Sequence, residues 1–370
     1  MYNSWVEISK SAILHNLAQY QKVVGQSVEI MPIVKSNAYG HGMVQMAKLV
    51  SSKTSWLGVV SLGEALKLRK NKIKNRIFVL SYAQSNYLKQ GIEQNIELPV
   101  YDLPTAKLIS QIAAKSGKYA KIHIKVDTGA SRVGVLAQNA FEFIKKISQL
   151  PNLEIVGIYS HFAASEENQK YTQLQVDKFG QVLNQSDQLR VIPYRHFACS
   201  AAALVKPQAH LNLIRLGLGL YGLWPSPLAK KIALKHYPWL KLKPALVWKT
   251  KIIQIKEISA GTKIGYGCTY TAKKKMTIAV LAVGYWEGYD RHLSSKGQVL
   301  IKNKKCPVVG RICMNLTMVD ISSVKNAKVG EEVVLLGKGI TVESLAEKIG
   351  TINYEVVTRI NPVLKRKYLN

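Results

Sequence analysis

Lys35 stands where a lysine can do covalent chemistry. It closes an apolar run and opens the segment Val34-Lys35-Ser36-Asn37-Ala38-Tyr39-Gly40-His41-Gly42. At the end of a buried strand the charged form of a lysine loses solvation, so its pKa falls and more of it stands as free amine. That amine is the nucleophile a Schiff-base lysine requires. A turn flanked by glycines follows and brings the Tyr39 hydroxyl and backbone donors beside it. A lysine merely snorkelling from a strand end accounts for Lys35 but not for the nonapeptide around it.

Other candidate groups are weaker when taken singly. Gly217-Leu218-Gly219-Leu220-Tyr221-Gly222 fits the dinucleotide fingerprint letter by letter, but that motif needs an acidic residue about twenty positions on. No Asp or Glu occurs between Gly222 and Glu257, so a backbone-lined phosphate site is the better reading of these glycines. The eight histidines include no His-Glu-x-x-His or comparable ligand spacing, and no metal is expected. His161 is a candidate for the active site because it lies at a strand end, whereas His41, His123 and His196 are ordinary structural candidates, His196 less clearly.

The elements that must position these groups follow from periodicity. Strands are expected at 29–35, 56–61, 76–81, 96–101, 121–127, 153–160, 194–199 and 211–216, with helical patterns between most of them, such as 65–69 and 105–115. Eight strands alternating with helices point to an α/β chain with an N-terminal (β/α)8 TIM-type barrel. Residues 223–243, with three prolines and many lysines, read as a connection. Beyond it, expected strands at 247–258, 277–285, 298–301, 307–309, 318–321 and 332–336, and one helix near 341–348, describe a smaller, mostly β domain. The expected division is residues 1–235 and residues 236–370, with the first ten or so residues able to pack with the second part.

Composition narrows the function classes. With 47% hydrophobic and 20% charged residues the chain is globular in type, and no stretch approaches the ~20 apolar residues of a membrane span. The N-terminus lacks the pattern of a secretory signal, and four cysteines (Cys199, Cys268, Cys306 and Cys313) are too few for a disulfide scaffold. A cytoplasmic location is expected. The 52 basic against 22 acidic residues give a net charge of +30. The lysines are spread along the chain and no nucleic-acid recognition motif accompanies them, so no specific nucleic-acid partner is expected.

The segment around Lys35 resembles the pyridoxal-phosphate attachment signature of the alanine racemase family, and the resemblance runs through nearly the whole chain. Lys125-Val126-Asp127-Thr128-Gly129, Arg132-Val133-Gly134, Ser160-His161-Phe162-Ala163, Ser200-Ala201-Ala202, Arg215-Leu216-Gly217 and Tyr221-Gly222 follow in the family's order. Gly265-Tyr266-Gly267, Gly284-Tyr285 and Gly310-Arg311-Ile312-Cys313-Met314 complete the set in the β domain. An independent check agrees with it: Lys35, Asp127, His161, Ser200 and Arg215 each fall at or near the C-terminal end of an expected strand, where barrels of this kind place their chemistry.

The resemblance implies a homodimer that interconverts L- and D-alanine on pyridoxal 5'-phosphate and supplies D-alanine for peptidoglycan. It gives Lys35 as the base on the D side and Tyr266, from the partner subunit, as the base on the L side. A free phenol keeps its proton until about pH 10, so cationic company is needed, and His161 and Arg215 are expected to provide it. Arg215 would face the pyridine nitrogen. Tyr39, Ser200, Gly217, Leu218 and Tyr354 would hold the phosphate. Arg132 would lie near the cofactor hydroxyl and the substrate carboxylate, which Tyr285 and the Met314 backbone would border from the other subunit. Lys125 matches a position carbamylated in some members; an unmodified lysine is equally compatible with the sequence.

Departures from the family's common pattern are modest. They are Ser36 for Ala, Ala130-Ser131 for Met-Gly, Trp286-Glu287 for Ala-Asp, Asn315 where Asp is also common, and an end at 362–367 without the frequent Pro-Arg pair. Serine remains a possible second substrate. A barrel-type decarboxylase would place an acidic group where Arg215 stands, and a non-catalytic cofactor-binding barrel would lack the β domain.

Overall fold

The computed structural model describes residues 3–370, which divide into two compact units. One comprises Ala12–Ala38 and Met43–Lys243. Its eight strands are Glu29–Pro32, Trp56–Val59, Arg76–Val79, Ile96–Val100, Ala120–Asp127, Leu153–Tyr159, Tyr194–His196 and Leu213–Leu216. Neighbours pair in parallel through six of them, from Trp56–Val59 to Tyr194–His196, and Leu213–Leu216 pairs in parallel with Glu29–Pro32. Parallel bridges Ile33–Gly58 and Cys199–Arg215 join the two ladders, so the eight strands form one cycle. The expected strands are all present, half of them ending two or three residues early.

Helices follow the strands with ordinary start signals. Asp102 accepts from the Thr105 N–H at 2.8 Å to cap Leu103–Lys115, with Pro104 in the first turn. Ser61 caps Leu62–Lys70 in the same way. The stretch read as a connection contains a helix, Pro227–His236, capped by the Ser226 hydroxyl on the Ala229 N–H at 3.0 Å. Its Ser-Pro start reads equally well as a turn, which hid it.

The barrel interior is aromatic and polar rather than purely aliphatic. The Phe78 ring lies 4.1 Å from the His123 ring and 5.1 Å from that of Tyr159, and Tyr159 stacks on His196 at 4.9 Å. The ring centres of Trp56 and His123, three strands apart, lie 5.8 Å from each other in an edge-to-face arrangement, so these side chains meet across the middle of the barrel. Such an interior must satisfy its polar atoms internally.

The other unit comprises residues 3–11, Tyr39–Gly42 and Pro244–Asn370. Its longest strand, Leu246–Ile258, pairs antiparallel with Glu332–Leu336, Met276–Leu281 and Trp5–Ser9. Trp5–Ser9 also pairs in parallel with Lys365–Leu369. Gln298–Ile301 and Lys304–Pro307 form a hairpin whose two loop residues, Lys302 and Asn303, have φ of 48° and 63°, the tight turn that suits twisted strands. The helix Val342–Ile349 starts on Thr341 and ends on left-handed Gly350.

Arg366 ties the end of this unit together. Its Nε donates to the Gly40 carbonyl at 3.0 Å, and its Nη atoms donate to the carbonyls of Ile360, Asn361, Pro362 and Leu364. Gly40 is required there: at φ 84° a side chain is strained, and its Cβ would lie 2.2 Å from the Val357 oxygen. Arg366→Ala removes one donor group from five carbonyls at once and should cost on the order of 2–3 kcal/mol of stability. The cost would be read as a lower urea midpoint at unchanged slope; an unmoved midpoint would contradict the role given to this side chain.

Candidate active site

In the barrel unit, Lys35 follows the first strand and is half-buried. Burial first, then the Arg132 charge, lowers its pKa from the usual range, against an opposing pull from Glu64. The chain then makes a turn of the wrong hand: Ser36, Asn37, Ala38 and Tyr39 have φ of 53°, 54°, 54° and 52°. Each such residue costs about 1–2 kcal/mol unless a short polar side chain helps. Specific bonds hold the turn. The Ser36 N–H donates to Glu64 Oε1 at 2.7 Å, the Ala38 N–H to the Val34 carbonyl at 2.9 Å, and the Met43 N–H to Asn37 Oδ1 at 3.1 Å. The other oxygen of Glu64 accepts from the Val60 N–H at 2.9 Å.

Arg215, on the last barrel strand, is buried and surrounded by neutral acceptors. Nη1 donates to His196 Nδ1 at 3.0 Å and to the His196 carbonyl at 2.9 Å; Nη2 donates to the carbonyls of Ser160 and Phe197 and to His161 Nδ1 at 3.0 Å. Among the described residues, Nε is the one guanidinium nitrogen left without a partner. Burial pushes Arg215 down to about 10, which leaves it charged at neutral pH. His161 behaves differently from the expectation that it would be a cation. Burial, then Arg215 and Lys125, push its imidazole well below the usual histidine range, and its Nδ1 accepts from a guanidinium, so it is a neutral ring.

Lys125 and Arg132 share this electropositive space. Lys125 is buried with Nζ 4.2 Å from the centre of the Tyr159 ring. Burial, then Arg215 and Arg132, hold its ammonium well below the usual range, and Asp127 opposes only in part. Asp127 spends Oδ1 on the N–H groups of Gly129 and Ser131 at 2.9 and 3.1 Å. Arg132 is exposed and makes no hydrogen bond or ion pair among the described residues. The sequence gives little warning of Gln175, which is buried and fixes the His161 segment: its Nε2 donates to the His161 carbonyl at 3.2 Å and its Oε1 accepts from the Ala163 N–H at 2.9 Å.

The loop after the last strand is built around Ser200. Its Oγ accepts from the N–H groups of Gly217 at 2.9 Å and Gly219 at 3.3 Å, so the Gly217 amide is already committed. The Leu218 N–H makes no hydrogen bond among the described residues. With its oxygen accepting twice, the Ser200 hydroxyl has its own proton to offer.

The remaining residues lie in the other unit. Tyr39 and Tyr354 have ring centres 6.2 Å apart. Tyr266 sits on a turn between Gly265 and Gly267 and is 72% exposed, at the edge of a groove of about 540 Å³ that Ile264, Val280, Cys313, Leu316 and Met318 also line. Tyr285 and Met314 come together where two loops cross: the Tyr285 and Trp286 N–H groups donate to the carbonyls of Cys313 and Met314 at 3.1 and 2.9 Å. Glu287 fixes that crossing by accepting from the Gly284 N–H and the Asn315 side chain, each at 2.8 Å. The two departures at 287 and 315 are therefore partners, since an amide rather than a second carboxylate faces the Glu287 carboxylate. Among the described residues no group of three or more His, Cys, Asp and Glu is placed to hold a metal ion, and no helix is long and apolar enough to cross a membrane.

Comparisons with known proteins agree with this arrangement. Residues 8–225 match the family described as alanine racemase, N-terminal domain, and residues 245–368 match alanine racemase, C-terminal domain. The alanine racemase of Methanococcus maripaludis is 41% identical, covering 99% of this chain and 98% of its own length. That of Desulforamulus reducens is 40% identical over the same shares. Among solved structures, alanine racemase of Clostridium difficile 630 superposes with a TM-score of 0.94 at 34% identity, over 100% of this chain and 96% of that one. A strand-end lysine of lowered pKa, a buried arginine beside neutral histidines and a β unit presenting Gly-Tyr-Gly thus stand in a chain that belongs to the alanine racemase family of pyridoxal-phosphate-dependent isomerases.

Proposed function

We propose that this chain interconverts L- and D-alanine with two bases, Lys35 and Tyr266, on pyridoxal 5'-phosphate. The observation that carries the reading is the concentration of positive charge around Lys35. Lys35, Lys125, Arg132 and Arg215 act on one another or on shared neighbours, and among the described residues no carboxylate is hydrogen-bonded to any of them. Such a space is made for anionic ligands.

The residues fit the cofactor. The Ser200 hydroxyl proton and the Leu218 N–H are donors for a phosphate, and Tyr39 and Tyr354 bring two more hydroxyls. The unspent Nε–H of Arg215 suits a ring nitrogen. Bound pyridoxal phosphate supplies the electron sink for charge left at an α-carbon. Arg215 does not give up its proton, so a nitrogen facing it stays unprotonated. A carboxylate there would favour the opposite state, which argues against a decarboxylase.

The amine of Lys35, biased toward its neutral form, takes or returns a proton on one face of the α-carbon. Tyr266 serves the other face. We place it opposite the partner subunit's lysine in a homodimer, because it is exposed, makes no hydrogen bond among the described residues, and borders an apolar groove that exposed Leu316 also lines. With His161 neutral, Arg215 is the fixed charge of the set. Arg132, Tyr285 and the Met314 backbone are the contacts proposed for the substrate carboxylate. The four free cysteines support a reducing, cytoplasmic setting in which D-alanine feeds peptidoglycan.

Lys125 is proposed to be carbamylated. The nitrogen of its amine, which burial and the Arg215 and Arg132 charges bias toward the neutral form, bonds to the carbon of carbon dioxide and releases one proton to solvent, which turns a buried group without a hydrogen-bonding anion into an anion that can hold Arg132. Carbon-13-labelled carbon dioxide should give a carbamate resonance that disappears in Lys125→Ala; a resonance absent from the unaltered protein would reject the modification.

The holoenzyme should exchange the α-proton of L-alanine for deuterium in deuterated water, and L-serine and L-lysine tested alongside will define its breadth. No exchange with any amino acid would refute the activity. Tyr266→Phe should lower racemisation by roughly 10²–10⁴-fold while the bound-cofactor absorbance and α-proton exchange of D-alanine persist. Undiminished racemisation would sink the two-base assignment.

A further inference from the structure

The hydrogen bonds of Arg215 do not stop at His196. His196 Nε2 lies 3.0 Å from His123 Nδ1, and His123 Nε2 lies 2.7 Å from Glu97 Oε2. Glu97 Oε1 accepts from Arg76 Nε at 2.6 Å. The chain thus runs from the eighth barrel strand through the seventh and fifth to the fourth, and its four inner members are buried: Glu97 2%, His123 0%, His196 0% and Arg215 4% exposed. Arg76 is held in turn over the rings of Trp56 and Tyr194, at 4.0 and 4.3 Å.

The barrel is shaped to admit this chain. The register between Ala120–Asp127 and Leu153–Tyr159 shifts at Ile122/His123, and residue 157 opposite is glycine, where a Cβ would lie 2.0 Å from His123 Nδ1. A bulge and a missing side chain at one spot mark a place where another group must approach closely.

The direction of every bond is fixed by the two ends. A guanidinium only donates, so His196 Nδ1 must be bare and its proton sits on Nε2. That proton points at His123 Nδ1, which must also be bare, leaving the His123 proton on Nε2 for Glu97. A carboxylate only accepts, so the chain closes without conflict. A second proton on His196 would set donor against donor at Arg215. Burial, the largest cause, and Arg215 push His196 well below its usual range; burial likewise outweighs Glu97 in lowering His123. Burial alone would raise Glu97, but its bonds to His123 and Arg76 bring it below the usual carboxylate range.

We propose that Glu97 is a positioning residue for Arg215: acting through His123 and His196, it fixes both ring tautomers and so keeps the Arg215 guanidinium pinned with Nε alone free. The role rests on the reading above that Nε faces the reacting ligand. Its geometry has a further use. A carboxylate bonded directly to Arg215 would draw off its charge, whereas one placed two imidazoles away orients it and leaves the positive field at the site.

The test is nitrogen-15 spectroscopy of holoenzyme carrying labelled histidine, with kcat and KM for alanine measured in parallel. In the unaltered holoenzyme both His123 and His196 should show protonated Nε2 and bare Nδ1. In Glu97→Gln the amide must turn its NH2 toward one of two donors, so the rings should populate mixed tautomers. Here kcat should fall on the order of tenfold with KM little changed, and Glu97→Asp should restore the tautomers because it keeps an acceptor-only end. An Nδ1–H on either ring of the unaltered holoenzyme would overturn the proposal, as would Glu97→Gln with unaltered tautomers and kcat. The tautomers decide the relay whether or not the unaltered chain racemises alanine.

Discussion

A guanidinium has five hydrogens to donate, no lone pair to accept with, and a charge it does not surrender at neutral pH. Burying one inside a barrel therefore dictates what stands around it. For Arg215 the answer is a ring of oxygen and nitrogen acceptors taken from places where strands stop. Past the ends of the strands Leu153–Tyr159 and Tyr194–His196 the carbonyls of Ser160 and Phe197 turn to Arg215, and that of His196 accepts from both Arg215 and the Ser160 N–H. His161 and His196 take what remains and stay neutral in doing so. The polar interior of this barrel is a consequence of that one side chain.

Strain is concentrated next to the reactive amine. Four successive left-handed residues after Lys35 would not persist in an isolated peptide. Glu64 makes them tolerable by bonding the backbone on both sides, at Ser36 and at Val60, while its charge acts on Lys35. One carboxylate thus links the shape of the turn to the basicity of the amine, although it lies on the helix after the next strand. Serine at 36 costs little there, since a β-branched residue would clash where Ser, Asn and Ala can be forced to fit.

Much of this was legible in the sequence because barrel strands are short apolar runs that end in polar residues. Lys35, His161, Ser200 and Arg215 could be placed at strand ends by pattern alone. The first strand, Trp5–Ser9, escaped because a helix follows it with no turn residue between. The left-handed turn escaped because only Asn37 favours that conformation. Glu97 had left a sign: a carboxylate within the apolar run Ile96–Val100 needs a buried partner. What the sequence could not show was which histidines would meet it, because His123 and His196 come from distant segments. The neutrality of His161 follows from neighbours that only folding assembles.

The strand Trp5–Ser9 sets a schedule for the ribosome. It is made before the barrel strands, yet one of its neighbours is Leu246–Ile258 and the other is Lys365–Leu369. Its apolar face must wait, unpaired, while the eight barrel strands are synthesised and can already close on themselves through Leu213–Leu216. Long-range pairing of this kind is slow and leaves a sheet edge open to other chains until it forms. Between barrel closure and the synthesis of Leu369, the edge of Trp5–Ser9 that Lys365–Leu369 will cover stays open to other chains.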